Sequence, residues 1–114
     1  MAHIDEVAHR HIVVDGQAFK EDIVLTQWGW VEPRTEKGKV TLRELELLLL
    51  HHHAQIFVFG RGLIGIHNLS PADEKAIERM GVKMHSLPTP EAAELFNRLA
   101  DEEDGVIGLF RVLV

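Results

Sequence analysis

The residues with the most chemical promise are Gly60-Arg61-Gly62-Leu63-Ile64-Gly65, which follow the apolar run Gln55–Phe59. Their spelling is GxGxxG. In a dinucleotide site such glycines make a tight turn, admit a pyrophosphate to the backbone and open a helix behind it. Here Gly65 is followed by Ile66-His67-Asn68-Leu69, and the first helix-start signal is Ser70-Pro71. The glycines therefore predict a special turn rather than a dinucleotide site. Two readings stay open for them: a turn needed for chain reversal, or a small pocket in which Gly60 and Gly62 present backbone N–H groups to an anionic or polar ligand. Arg61, Arg34 and Lys39 are the charges that would serve such a pocket if they converge at the strand ends.

Other chemistry is less complete. His9 and His11 would share a face of one strand. His51-His52-His53 point in different directions at a helix end, and no HExxH or Cys/His set accompanies them, so no metal ligands are assigned. Ser70 and Thr89 each precede a proline and read as helix caps, with no GxSxG around them. Asn97, inside an amphipathic helix, reads as a structural hydrogen-bonding residue. Trp28 and Trp30 would lie on one side of an extended segment and are the candidate aromatic recognition residues for a partner. No catalytic residue and no cofactor are implied.

The elements that must position these groups follow from local patterns. His11–Val14 and Ile23–Thr26 read as strands of a hairpin around Asp15-Gly16. Gln27–Val31 continues the extended chain, and Glu32–Lys39 is a polar loop. Thr41 with Glu44 has capping-box spacing and opens a helix. Leu42, Leu45, Leu48 and Leu49 form its stripe, Leu47 and Leu50 widen it, and it ends near His51–His53. Gln55–Phe59 reads as a central strand covered on both faces. Ser70-Pro71 opens a second helix that Gly81 stops. Val82–His85 is the next strand, Thr89-Pro90 opens the third helix, and Asp104-Gly105 ends it. Val106–Val114 is the final strand, in which Arg111 would protect a sheet edge. Strand, helix, strand, helix, strand predicts an α/β domain with helices packed over a sheet.

The 114 residues suit one domain, 1–114, with residues 1–8 expected to be a flexible N-terminus. Hydrophobic residues make up 46% of the chain, enough for a core without staples, and the absence of cysteine excludes disulfides within it. Twelve Lys and Arg against eighteen Asp and Glu leave a net charge of −6, which disfavours nonspecific binding to nucleic acid or anionic membrane. No signal or spanning segment is evident, so a cytoplasmic protein is expected. A protein partner and a homodimer are the expected associations.

Three stretches, "IVVDGQAFKEDIVLTQWGWVEPR", "VTLRELELLL" and "IFVFGRGLIGIHNLSPADEKAIERMGVKMHSLPTPEAAELFNRLADEEDGVIGLF", resemble the Mth938-like family of small domains of unknown function. The likeness covers about residues 9 to 112, and the last stretch is the most specific. Relatives include a mitochondrial complex I assembly factor and an adipogenesis-associated protein. The resemblance implies a single-domain, three-layer α/β fold: a central mixed sheet, flanking helices and an additional β element. It implies assembly or regulatory roles more than turnover. Two departures are visible. The family's Gly-Thr-Gly turn is Gly60-Arg61-Gly62 here, and its loop-ending Gly-His is Gly38-Lys39.

The leading functional expectation is a noncatalytic adaptor or regulatory protein. The alternative is an enzyme or sensor that binds a small anionic or polar ligand near Gly60–Gly62.

Overall fold

A computed structural model describes residues 1–113. In chain order the elements are β1 (Ile4–Ala8), β2 (His11–Val14), β3 (Gln17–Phe19), β4 (Ile23–Thr26), β5 (Val31–Pro33), α1 (Leu42–His51), β6 (Ile56–Gly60), α2 (Pro71–Arg79), β7 (Lys83–Leu87), α3 (Thr89–Glu102) and β8 (Val106–Phe110). They form an antiparallel sheet of order β1-β2-β3 and a mixed five-stranded sheet of order β5-β4-β8-β6-β7. β6 runs parallel to both β7 and β8, while β4 is antiparallel to β8.

Alternation along the central strands divides the core in two. Val58, Val106 and Phe110 point to the face shared with α3 and the small sheet, where they meet Phe96, Ile12 and Ile4. Phe57, Phe59, Ile107 and Leu109 point to the opposite face, where they meet Leu45 and Leu49 of α1 and Ile77 of α2. The result is the expected three-layer α/β arrangement with an additional β element.

Several local expectations are corrected. The hairpin around Asp15-Gly16 joins β2 to β3, not to Ile23–Thr26: Val14 pairs with Gln17, and both loop residues have positive φ. That is the two-residue turn whose twist matches the strands. β3 escaped the sequence reading because three residues are too few for a period to show. Ile23–Thr26 instead enters the large sheet beside β8. His9 lies in the turn before β2, so it does not share a strand face with His11.

The N-terminus is held rather than loose. Ala2 N–H donates to the Gln27 carbonyl at 2.8 Å. Asn97 donates to and accepts from the Ile4 backbone at 2.9 and 2.8 Å, fixing β1 on α3 as a structural hydrogen-bonding residue should. Buried Gln27 donates to the Ala100 and Glu103 carbonyls and accepts from Val106 N–H, which satisfies the end of α3 and the start of β8 together.

Leu47 and Leu50 do not widen a buried stripe; they are 58% and 65% exposed. β8 ends at Phe110 and lies inside the sheet, so Arg111 guards no edge. Val114, the last residue of the expected final strand, lies outside the described residues.

Candidate functional site

The parallel strands β6, β7 and β8 end side by side, with Gly60 paired to Leu87 and to Phe110. Ligands of open α/β sheets favour this carboxyl edge. The glycine loop leaves β6 here, α3 begins here, and Arg111 emerges from β8.

The glycine turn itself is filled. A Cβ on Gly60 would stand 2.9 Å from Thr89 Oγ1 and 3.0 Å from the Phe110 ring, so the glycine is required for close approach of α3. Gly62 N–H donates to Thr89 Oγ1 at 3.0 Å, and that hydroxyl donates to the Arg111 carbonyl at 2.7 Å. Arg61 N–H donates to the Leu87 carbonyl, Leu63 N–H to Leu113 and Gly65 N–H to Gly62. The amides that would cradle an anion are thus spent within the fold. Helix α2 starts only at Pro71, capped by Ser70 Oγ accepting from Asp73 N–H at 3.1 Å. Thr89 is not a cap: Pro88 occupies that position without a side-chain bond, and Thr89 is wholly buried.

The three proposed cations do not converge on this turn. Arg34, at the end of β5, is 9% exposed and grips Glu44 through two bonds, Nε to Oε2 at 2.6 Å and Nη2 to Oε1 at 2.8 Å. It also donates to the Gly38 and Lys39 carbonyls at 2.8 and 3.2 Å. The Glu44 hydrogen bond comes first in raising the Arg34 pKa above its ordinary value. Arg34 therefore fastens the polar loop to the first turn of α1. The capping box is consequently half made: Thr41 Oγ1 accepts from Glu44 N–H at 3.3 Å, while the Glu44 carboxylate is committed to Arg34. Arg61 turns away, donating to the Ser86 carbonyl at 3.3 Å and packing beneath Gly65. Lys39 stands exposed, bordering a concavity with His67 and Asn68.

Charge gathers instead around Arg111, whose side chain is 8% exposed. Its Nε donates to Asp22 Oδ2 and its Nη2 to the Gly38 carbonyl, both at 3.2 Å. Asp22 also accepts from Val112 N–H at 2.9 Å and lies 3.5 Å from Arg34. Two open concavities meet at Arg111 and Gly38. One, of about 580 Å³, is bordered by Arg10, Lys20 and Lys37. The other, of about 480 Å³, is bordered by Lys39, His67 and Asn68. Burial, then the Arg111 charge, lowers the His67 pKa from its ordinary value, with Asp22 opposing. Sequence reasoning missed Asp22 and His67, because nothing in their neighbours along the chain shows that β8 brings Arg111 between them.

The tryptophans form a separate place. They occupy the β4–β5 turn rather than an extended run: Gly29, at φ +100°, returns its N–H to the Thr26 carbonyl at 3.0 Å. Trp28 is 71% and Trp30 43% exposed. Both border a concavity of about 410 Å³ with His51 and His52. The Trp30 and His52 rings are 4.7 Å apart. Burial first, then His51, lowers the His52 pKa, with Glu32 opposing. Leu47, Leu50 and His51 follow at helical spacing on α1, so the turn and one helix face present large side chains to solvent.

The family described as a protein of unknown function (DUF498/DUF598) matches residues 4–110. A conserved hypothetical protein from Pyrococcus horikoshii OT3 superposes with a TM-score of 0.82 at 26% identity, over 97% of this chain and 98% of its own. A Bordetella parapertussis protein gives 0.84 at 20% identity, over 97% and 95%. A Bordetella pertussis protein described as a Mth938-like domain gives 0.77 at 17%, over 96% and 85%. A search of curated proteins finds no match. No helix among the described residues is long and apolar enough to cross a membrane.

Proposed function

We propose that this chain, which belongs to the DUF498/DUF598 family of Mth938-like domains, is a noncatalytic adaptor or regulatory protein of the cytoplasm that engages a protein partner through the Trp28–Trp30 turn. One observation carries the reading: Trp28 and Trp30, 71% and 43% exposed, border one concavity together with His51 and His52. Tryptophan is costly to leave in water and is enriched where proteins meet. The Trp30 ring packs against that of His52, with centroids 4.7 Å apart. The hydroxyls that suggested nucleophiles are engaged elsewhere. Ser70 caps α2, and Thr89 is buried between Gly62 and Arg111.

The test is affinity capture with the intact chain and with Trp28→Ala/Trp30→Ala, followed by direct binding of any purified partner. Loss of one tryptophan anchor from a contact costs about 2 kcal/mol, or roughly 30-fold in affinity. A reproducible partner that the double variant releases supports the reading. A partner held equally by both proteins, or none at all, rejects it. Arg61→Ala should keep the partner, because Arg61 is folded under the glycine loop. Sedentary self-association through the same turn would appear as a concentration-dependent dimer that the double variant loses.

A further inference from the structure

The molecule carries a net charge of −6, yet its two concavities at Arg111 are bordered by a run of cations. Arg10, Lys20, Lys37 and Lys39 are exposed, and among the described residues none lies within ion-pairing distance of a carboxylate. The acids nearby are not equivalent to them. Asp22 is committed to Arg111, Arg34 and Val112 N–H. Glu21 and Glu36 border the larger concavity, but no acid borders the smaller one.

Arg111 joins the two spaces. Nε and Nη2 are occupied, but Nη1 forms no hydrogen bond among the described residues. Arg111 lines both concavities, so its side chain meets the open space on either side. A guanidinium held by Asp22 and Gly38, with Nη1 unbonded among the described residues, is set up to bind an oxyanion: its orientation is already fixed, and little entropy remains to be lost. The concavities, about 480 and 580 Å³, are of the size that holds small molecules. They also lie beside the carboxyl ends of β6 and β8.

We propose that the place where the two concavities meet, with Lys39 and His67 on the smaller side, Lys37 on the larger and Gly38 and Arg111 shared, binds a small multivalent anion of the phosphate or dicarboxylate class, with the Arg111 guanidinium as its fixed donor. Lys37 and Lys39 supply mobile charge from the loop, and Lys20 and Arg10 extend it into the larger concavity. An anion beside Arg111 also offsets the charge that discourages protonation of His67. The site is distinct from the glycine turn, whose amides are occupied, and independent of the tryptophan surface.

The test is amide and side-chain NMR titration of the intact chain with inorganic phosphate and, separately, with malonate, at constant ionic strength maintained with chloride. Saturable shifts at Gly38, His67 and Arg111 are expected with at least one anion, and the stronger of the two identifies the class. Lys37→Glu/Lys39→Glu should weaken binding roughly tenfold through reversal of nearby charge. Both lysines are exposed, so the fold should persist, and unchanged spectra outside the loop verify that. Lys20→Glu is a second variant on a different segment and should weaken binding less. Trp28→Ala should leave anion affinity unchanged. Absence of saturable shifts with both anions, or equal affinity in the wild type and the double lysine variant, overturns the proposal.

Discussion

The Thr89 hydroxyl donates to the Arg111 carbonyl at 2.7 Å and accepts from Gly62 N–H at 3.0 Å. One side chain thereby joins the start of α3, the glycine loop and the exit of β8. Gly60 makes room for it, since a Cβ there would press on both the Thr89 hydroxyl and its Cα.

Thr89→Val keeps the shape and leaves a buried N–H and C=O without a partner. The expected cost is about 2 kcal/mol or more. Thr89→Ser keeps the hydroxyl and loses one buried methyl, for about 1 kcal/mol. Chemical denaturation of the two variants separates these values. Equal losses would show that packing, and not the bridge, is what Thr89 contributes.

Arg34 and Glu44 form an enclosed ion pair, with side chains 3% and 13% exposed. Arg34→Ala strands the Glu44 carboxylate, takes the side-chain donor from the Lys39 carbonyl and leaves the Gly38 carbonyl to Arg111 alone, and should destabilise the protein by about 3–5 kcal/mol. Arg34→Lys should also be poorly tolerated, because an ammonium cannot reproduce the two-pronged grip. Little of the loss should depend on salt, since burial limits screening. Thermal melts at low and high ionic strength check this, and recovery of the Lys variant to wild-type stability would contradict it.

Three histidines set the expected pH dependence. His52, His67 and His85 all have pKa values below the ordinary 6.5, with burial the first cause in each. For His85 the charges of Lys83 and Arg98 add to the effect. Each group therefore binds its proton less readily when folded than when unfolded. Below the unfolded value the unfolded chain holds more protons, so acidification favours unfolding. Their contribution is present above about pH 6.5 and is lost as the pH falls through the lowered folded values. Asp5, lowered first by its hydrogen bond to His3 and then by Gly16 N–H, acts in the same direction only at more acidic pH. The melting temperature should decline as the pH falls below about 6.5. His67→Gln should make that decline shallower, and an unchanged slope would exclude His67 as a contributor.

Much of the fold was legible because its signals are local. Ser70-Pro71 identifies the start of α2 through the bond from Asp73 N–H to Ser70, three residues away. The apolar run before the glycines reads correctly as a central strand, since its side chains must be covered on both faces. Asn97 reads correctly as structural. Where local signals were incomplete, errors followed: β3 is too short to declare a period, and Leu47 and Leu50 have the same type and spacing as their buried neighbours.

The candidate sites were less legible because charge and exposure depend on distant parts of the chain. Arg34 and Lys39 are near neighbours in one polar loop, yet Glu44 draws the first inward while the second stays in water. Arg61 looked available until Ser86 and Gly65 enclosed it.

By itself the sequence determined the α/β class, the capped starts of α1 and α2, the glycine turn and the absence of a helix to complete a dinucleotide site. Each depends on backbone preferences and hydrogen bonds spanning a few residues. Only the tertiary structure decided that Thr89 fills the turn, that Arg111 meets Asp22 across 89 positions, and that both tryptophans face solvent. Burial and pairing are properties of neighbours in space, and sheet pairing chooses those neighbours from remote parts of the chain.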